Sequence, residues 1–162
     1  MTRDDNPMAL RLELPRGYER SDTHRVLSWN GIRRQLAEAL NYWLVTSDQE
    51  GVPHVTPVWG TWVDDAFYFT GIPTAKWARN IETRPRASIH LESGDNVVIV
   101  DGVVEDLPSI QDEGVSREIV DSWTSKYGRL IPDPVADGMF CLRASKARGW
   151  TEFPNDVTSW TF

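Results

Sequence analysis

Positive charge is concentrated in one short segment of an acidic chain. The 162 residues carry a formal net charge of −7. Within residues 76–86 a single acidic residue, Glu82, is outnumbered by four basic residues: Lys76, Arg79, Arg84 and Arg86. Such side chains donate charge-assisted hydrogen bonds to phosphate and carboxylate groups. The overall acidity argues against nucleic acids and membrane surfaces as partners, because both repel a negative protein. The segment therefore indicates a site for a small anion.

The basic segment is predicted to form a short helix over residues 74–83, which ends before Pro85 because the residue preceding a proline avoids the helical conformation. Side chains three, four and seven positions apart share one helix face. The first turn offers free N–H groups and the positive end of the helix dipole, which suit a phosphate. The alternative is a solvated face whose cations pair with surface carboxylates. The residues expected to bind the phosphate are Thr74, Lys76, Arg79 and Asn80, with Thr83 on the same face.

The run HVTPVW at residues 54–59 alternates in the manner of a strand, and its Pro57 cannot donate a hydrogen bond to a neighbouring strand. We therefore expect this strand to lie at a sheet edge or exposed at a site, where a flat ring can rest on it. His54 is a candidate proton donor, the alternative being a partly exposed polar residue without a role. His24 and His90 are weaker candidates, and the three histidines show no metal-ligand spacing.

The only cysteine is Cys141, so no intramolecular disulfide is expected and a reducing compartment is indicated. Its apolar neighbours are typical of a small buried hydrophobic residue rather than of a nucleophile. The sequence contains no run of about 18 apolar residues that would predict a transmembrane helix, and its first residues lack the apolar core of a signal peptide. We therefore expect a cytoplasmic protein with no membrane partner.

Turn residues divide the rest of the chain into short strands, with one helix early and another late. The early helix is expected to be capped by Asn30, and the late helix to run from Pro108 to a stop at Gly128. Gly102, inside a strand rich in β-branched residues, predicts a bulge or a bend. Strands are expected over residues 42–46, 54–63, 67–70, 87–92, 97–105, 139–143 and 147–151.

Six or seven strands in meander order, joined by short links, favour a compact antiparallel β-barrel over a parallel sheet. No glycine-rich turn joins a strand to a helix, which argues against a Rossmann fold. The polar residues 1–22 are expected to form an N-terminal arm, partly disordered or lying over a neighbouring chain. Residues 23–162 are expected to form one domain, which is long enough to bury a core.

Three motifs carry a resemblance to a known family: GVPHVTPVWGTW, FYFTGIPTAKWARNIETRPRASIHLESGDNVVIVDGVVE and the terminal SWTF. Together they make residues 30–162 resemble the pyridoxamine 5'-phosphate oxidase-like flavin-binding split-barrel superfamily, and within it the actinobacterial flavin/deazaflavin-dependent oxidoreductases. The resemblance implies a mainly β protein, a six-stranded antiparallel split β-barrel of the FMN-binding type with flanking helices. It also implies a homodimer with two cofactor sites at the subunit interface.

The implied activity is that of a flavin (FMN)- or deazaflavin (F420)-dependent oxidoreductase, in which a hydride moves between the cofactor and a small organic substrate. The sequence does not discriminate between FMN and coenzyme F420. The resemblance implies that the strand at 54–59 borders the tricyclic ring and that the segment 69–80 wraps the ribityl phosphate. The implied cofactor-binding residues are His54, Val55, Thr56, Pro57, Val58, Trp59, Thr70, Thr74, Lys76, Trp77, Arg79 and Asn80.

Three aromatic residues near the C-terminus, Trp150, Trp160 and Phe162, are expected to cover the ring from the partner subunit, with core packing as an equal alternative. No residue is assigned as catalytic, because the cofactor itself carries out the hydride chemistry.

Trp77 departs from the family pattern, because many relatives carry a second basic residue at this position. Tryptophan cannot neutralise a phosphate, so either Lys76 and Arg79 suffice, or the cofactor is bound more weakly, or it has been lost. The Trp77 ring is expected to pack against the barrel or to stack on the ligand. The alternative function is a non-catalytic cofactor-storage or haem-binding module of the same fold. A barrel that binds single-stranded nucleic acid through its aromatic residues fits poorly with the acidic charge.

Overall fold

A computed structural model describes residues 6–18 and 25–162, within which the chain forms nine strands and three helices. The strands are β1 (Met8–Arg11), β2 (Tyr42–Ser47), β3 (Pro53–Val58), β4 (Gly60–Val63), β5 (Ala66–Phe69), β6 (Arg86–His90), β7 (Val97–Leu107), β8 (Met139–Trp150) and β9 (Thr158–Thr161). The helices are α1 (Trp29–Glu38), α2 (Lys76–Thr83) and α3 (Glu113–Tyr127). None of these helices is long and apolar enough to span a bilayer.

The strands form one antiparallel sheet that curls around a core without closing. Hydrogen-bonded neighbours follow the order β1-β9-β8-β7-β6-β2-β3, and the β4–β5 hairpin joins this sheet where β5 pairs with β8. β3 and β4 are consecutive in the chain, yet within the described residues no ladder joins them. The predicted fold class, a mainly antiparallel split barrel with flanking helices, is therefore confirmed.

Alternation along β2 decides which side chains reach the core. Tyr42, Leu44 and Thr46 are buried, whereas the residues between them are half-buried on the opposite face, as the two-residue period of a strand requires. The inward residues join a large apolar cluster with α1, α2 and most of the sheet. A smaller cluster lies between α3 and the β4–β5 hairpin and contains Cys141, which is fully buried. The expectation of a buried, hydrophobic cysteine is confirmed.

A polar cluster attaches α1 to the β4–β5 hairpin. Arg33 Nη2 lies 2.8 Å from Asp65 Oδ2, and Trp29 Nε1 donates to Asp65 Oδ1 at 3.2 Å. Asp65 stands at the hairpin turn with a positive φ of 55°, a conformation that aspartate tolerates in two-residue turns.

The predicted helix cap at Asn30 is wrong, because α1 begins one residue earlier, at Trp29, after an extended Ser28.

The late helix also begins at a different residue from the one predicted. Asp112 is the N-cap of α3, and its side chain accepts a hydrogen bond from Val115 N at 3.0 Å. Residues 108–112 precede the helix, and Ile110 N donates to the Pro134 carbonyl instead. The prediction that Pro108 occupies the first turn is therefore wrong. The predicted stop at Gly128 is confirmed, since this residue adopts the left-handed conformation with φ 61°.

Apart from shifts of one or two residues at strand ends, the structure divides two of the predicted runs differently. The run 139–151 forms one long strand, β8, instead of two, and the run 54–63 divides at Trp59 into β3 and β4. Part of the predicted N-terminal arm, residues 8–11, forms the edge strand β1, which pairs with β9 of the same chain. Residues 1–5 and 19–24 lie outside the described part of the chain.

Gly102 produces the predicted bulge in β7. The register with β8 shifts between Asp101 and Gly102, and a Cβ built on Gly102 would lie 2.2 Å from the Arg143 carbonyl oxygen. No side chain fits there without displacing the backbone of β8.

We expect Gly102→Ala to lower the free energy of unfolding by about 3 kcal/mol, because the added methyl group overlaps backbone atoms that cannot move aside. Chemical denaturation measures this change. Gly94→Ala is the matched control, because a Cβ at Gly94 meets no atom within 4 Å, and its effect should stay within about 0.5 kcal/mol. Equal stability of the two variants would contradict the assigned bulge.

Candidate functional site

The edge strand β3 forms one side of the candidate site. Among the described strands it pairs with β2 alone, and Pro53 and Pro57 flank Val55 at two-residue intervals. Proline tolerates positions whose amide would point away from the neighbouring strand, so Val55, which has the same orientation, directs its backbone N–H and C=O to the open edge. The Val55 side chain is 50% exposed. The edge predicted from Pro57 is therefore present, with backbone groups available to a ligand.

Helix α2 packs against β2 and β3. Its N-cap is Ala75, which makes no side-chain capping hydrogen bond, so the N–H groups of the first turn are left without a side-chain acceptor. Lys76 is exposed and forms no ion pair within the described residues. Thr74 is exposed in the preceding turn, and the Arg79 guanidinium donates to its backbone carbonyl.

Asn80 does not share the exposed face of Lys76, and that expectation is corrected. It is only 4% exposed, and its Nδ2 donates to Thr46 Oγ1 at 3.0 Å. The helix is rotated so that Trp77, Ala78 and Ile81 enter the core, which carries Asn80 inward with them. Its amide therefore attaches α2 to β2.

Trp77 packs into the barrel and is 7% exposed. Its ring centre lies 5.5 Å from that of Phe69 and 5.0 Å from that of Phe140. Gly71 makes room for it, because a Cβ at Gly71 would lie 2.5 Å from Trp77 Cζ2. Trp77 was expected either to pack against the barrel or to stack on the ligand, and in the structure it packs against the barrel.

The two remaining cations of the basic segment lie beyond α2. Arg84 Nη2 donates to the Gln49 carbonyl at 2.7 Å, and Arg86 begins β6, on the outer face of the sheet. There it lines an open cleft of about 300 Å³ together with Ser88 and Asp101. The structure therefore places Thr74, Lys76 and Arg79 together and separates them from Arg84 and Arg86.

At its C-terminal end, β3 is followed by Trp59, whose side chain turns toward α3. The Trp59 ring is stacked on Tyr127, with 4.5 Å between centres and an angle of 6°, and the Arg129 guanidinium lies 5.0 Å from its centre. His54 and Thr56 are half-buried and Val58 is buried. Thr70, at the end of β5, is exposed. Strand β3 therefore presents mainly its backbone and the exposed faces of Val55 and Pro57.

The aromatic residues expected on the partner side differ in position. Trp160 is fully buried in the main core of its own chain, so the expectation that it covers a ring in another subunit is corrected. Trp150 is half-buried beside Phe153, with 5.8 Å between ring centres. Phe162 is 41% exposed and packs edge-on against Trp29 at 4.9 Å.

One polar cluster near the end of β3 was missed in the sequence. Lys126 Nζ donates to Tyr42 Oη at 2.7 Å and to the Gly60 carbonyl at 3.1 Å. Burial lowers the pKa of Lys126 to about 8 and raises that of Tyr42. Tyr127 Oη donates to the Leu40 carbonyl at 2.8 Å. A lysine in the last turn of a helix gives no sequence signal for such burial, because cations are common at that position.

The model of the family described as pyridoxamine 5'-phosphate oxidase matches residues 30–151. Among solved structures, a FAD-binding protein from Mesorhizobium loti is 22% identical, with 83% of this chain and 94% of that chain covered and a TM-score of 0.59. An F420 reductase is 21% identical, with 83% and 98% covered and a TM-score of 0.53.

A haem-binding protein from Mycobacterium smegmatis is 20% identical, with 85% of this chain and 60% of that chain covered and a TM-score of 0.62. At such identities the likeness shows a common fold. A search of curated proteins gives no match.

We expect Asn80→Ala to lower the free energy of unfolding by about 1–2 kcal/mol, because it removes a buried hydrogen bond and leaves the Thr46 hydroxyl without its donor. Urea denaturation measures the change. Glu82→Ala on the exposed face of the same helix is the control and should change stability by less than about 0.5 kcal/mol. A neutral Asn80→Ala would contradict the role of the amide in holding α2.

Proposed function

Because the chain belongs to the pyridoxamine 5'-phosphate oxidase family, we propose that it is an oxidoreductase that uses FMN or coenzyme F420 to exchange a hydride with a small organic substrate. Solved proteins of similar fold include a FAD-binding protein and an F420 reductase, which supports a flavin-type cofactor. A haem-binding protein shares the fold as well, so a cofactor-storage or haem-binding role is the competing proposal.

The observation that carries the proposal is the uncapped start of α2, a helix that packs against the edge strand β3. The first-turn amides, the positive end of the helix dipole and the unpaired Lys76 all favour an anion at this place. The residues present therefore fit a phosphate-bearing cofactor. The same edge leaves the Val55 backbone groups available to the polar atoms of a flat ring.

Each residue then has a distinct part in holding the cofactor. Lys76 Nζ and the α2 amides would bind the phosphate, and Thr74 would add its hydroxyl. Arg79 acts as a positioning residue, because its guanidinium holds the Thr74 carbonyl and thereby shapes the turn before the helix. When bound, the ring system supplies the hydride chemistry. The protein contributes orientation and a dry surface.

The burial of Trp77 limits how tightly this site can hold a phosphate. Lys76 is the one cation of the described α2 that is free to face an anion, since Arg79 is engaged with the Thr74 carbonyl. A single lysine and helix amides suffice to bind a phosphate. Removal of that lysine should therefore weaken phosphate binding strongly.

A homodimer is part of the proposal, because the outer face of the sheet carries several apolar side chains that the described residues leave half-buried or exposed, beside the polar Ser88 and Asp101. In β2, β3 and β7 this face carries Trp43, Val45, Val55, Ile99 and Val103, all half-buried or exposed. The registers Val45↔Val55, Val45↔Ser88 and Ser88↔Asp101 place the strands side by side, so the apolar residues share one surface with Ser88 and Asp101. A surface of this kind typically meets another protein, and it adjoins the β3 edge.

We expect Lys76→Ala to weaken the binding of FMN or F420 by about 1–3 kcal/mol, the scale of a lost charge-assisted hydrogen bond. Fluorescence titration of the purified protein with each cofactor, and with haem in parallel, measures the change. Lys146→Ala, an exposed lysine on β8, is the control and should bind as the wild type does.

Three outcomes separate the proposals. Tight binding of FMN or F420, followed by substrate-dependent oxidation of the reduced form, supports an oxidoreductase. Haem binding alone supports the competing module. Flavin-type binding that Lys76→Ala leaves unchanged would place the phosphate elsewhere.

We expect Val103→Asp, which puts a negative charge among the exposed apolar side chains of the outer face, to convert the dimer into a monomer. Sedimentation velocity measures the mass of wild type and variant at the same concentration. Leu130→Asp changes an exposed apolar residue in the loop after α3 and should leave the dimer intact. A monomeric wild type would contradict the proposed assembly.

A further inference from the structure

Arg86 is the last residue of the basic segment, and the proposed cofactor site does not use it. Its side chain is exposed and makes no ion pair or hydrogen bond to any residue that the structure describes. Arg84, by contrast, donates to the Gln49 carbonyl. The Arg86 side chain lies in the cleft of about 300 Å³ on the outer face of the sheet. The same cleft is lined by Val45, Ser47, Pro53, Ser88 and Asp101.

The two carboxylates diagonal to Arg86 across β7 are already paired. One belongs to Asp101, whose Oδ2 lies 2.8 Å from Arg148 Nη2. The other belongs to Glu105, whose Oε2 lies 2.7 Å from Arg143 Nε. Each of these acids thus has an arginine of its own, supplied by β8. Neither compensates the positive charge of Arg86, so this guanidinium is available to an anion that enters the cleft.

The other groups that line the cleft suit a single carboxylate on an apolar body. Ser47 Oγ has no hydrogen-bond partner among the described residues, so it can donate to the same anion as Arg86. The Val45 and Pro53 side chains provide apolar walls. Asp101 also lines the cleft, and its negative charge disfavours a doubly charged phosphate. A planar guanidinium matches the two oxygens of a carboxylate, and apolar walls match an organic body.

We propose that this cleft, here called the Arg86 cleft, binds the carboxylate of a small organic acid. Arg86 donates two parallel hydrogen bonds to the carboxylate oxygens, Ser47 adds a third, and the apolar body of the acid lies over Val45. The inference comes from the juxtaposition of an uncompensated arginine, a hydroxyl without a partner and two apolar side chains in one cleft.

The Arg86 cleft extends toward the edge strand of the candidate site. Val45 pairs with Val55, whose backbone is the proposed contact of the cofactor ring. Neighbouring strands lie about 4.8 Å apart, so an acid that spans the two strand spacings from β6 to β3 reaches that ring. Small organic acids are therefore the substrate class that the cleft favours. This assignment rests on the proposed function, whereas the binding of a carboxylate does not.

The direct test is a ¹⁹F NMR titration of the purified protein with 3-(4-fluorophenyl)propionate and with its neutral amide. The two probes share an apolar body, and only the acid carries the charge that Arg86 would bind. We expect the wild type to bind the acid at least about tenfold more tightly than the amide. Arg86→Gln should weaken binding of the acid by about 10- to 100-fold, the scale of a lost charge-assisted interaction. Ser47→Ala should weaken it by a smaller factor.

Arg84→Gln is the matched control, because it removes the same charge from a guanidinium that is engaged with the Gln49 carbonyl. This variant should bind the acid as the wild type does. Acid binding that Arg86→Gln leaves unchanged would overturn the proposal. The comparison of acid and amide uses the wild type alone, so it stands even if a variant does not fold.

Three results in the wild type would also overturn the proposal. One is equal binding of acid and amide, which would leave no role for the charge. Another is tighter binding of inorganic phosphate than of the acid, which would exclude the carboxylate class. The last is no binding of the acid, which would mean that a second copy of the chain or solvent meets the charge of Arg86.

A further measurement separates the substrate class from the proposed function. In protein loaded with FMN or F420, a saturating concentration of the acid should shift the absorption band of the bound cofactor, and Arg86→Gln should abolish the shift at that concentration. Acid binding without a shift would place the Arg86 cleft apart from the ring and overturn the substrate class. Acid binding by a protein that takes neither cofactor would contradict the proposed function while supporting the carboxylate site.

Discussion

The sheet does not close between β3 and β4, and the rest of the structure depends on this gap. β3 is held on one side by β2, and its two prolines direct no N–H to the other side. A further strand cannot pair easily with such an edge. The backbone groups of Val55 therefore remain open to a ligand. Because β3 has a neighbouring strand on one side alone among the described strands, its position also depends on contacts with the helices.

Those contacts come from two helices at opposite ends of the strand. Near its start, α2 is attached through the buried Asn80–Thr46 hydrogen bond, which reaches β2 beside β3. Near its end, the Tyr127 ring stacks on Trp59, the Tyr127 hydroxyl accepts from the Gly60 N–H, and Lys126 donates to the Gly60 carbonyl. Polar groups in partly apolar surroundings fix geometry more narrowly than apolar packing does. The site is thus a short edge of backbone held by polar contacts at both ends, beside an uncapped helix.

Much of the fold could be predicted from the sequence, because the patterns that indicate its strands, bulge and helix ends are local. The alternation of β2, the bulge at Gly102 and the helix stop at Gly128 each depend on a few neighbouring residues. Where the position of a side chain depended on distant residues, no local pattern predicted it. The partner that turned Asn80 inward lies 34 positions away, and the one that holds Lys126 lies 84 positions away. Pro108 is a proper residue for a first helical turn, but Asp112 provides the actual cap.

Within the candidate site, the residue spacing predicted which side chains lie near the start of α2 but not which of them turn into the core. Thr74, Lys76 and Arg79 lie together at the start of α2, as their spacing requires. Trp160 is in the core of its own chain because β9 places it between α1 and β8, which a terminal SWTF motif does not reveal. The burial of an aromatic residue depends on the strand register, which is decided by the whole sheet.

The central claim is that the start of α2 and the open edge of β3 together hold a phosphate-bearing cofactor. A crystal structure of the protein grown with excess FMN or F420 tests it most directly. The account requires a phosphate oxygen within hydrogen-bond distance of Lys76 Nζ and of first-turn amides of α2, with the ring against the backbone at Val55. A cofactor bound at another surface, or an α2 start covered by the chain's own side chains, would contradict it.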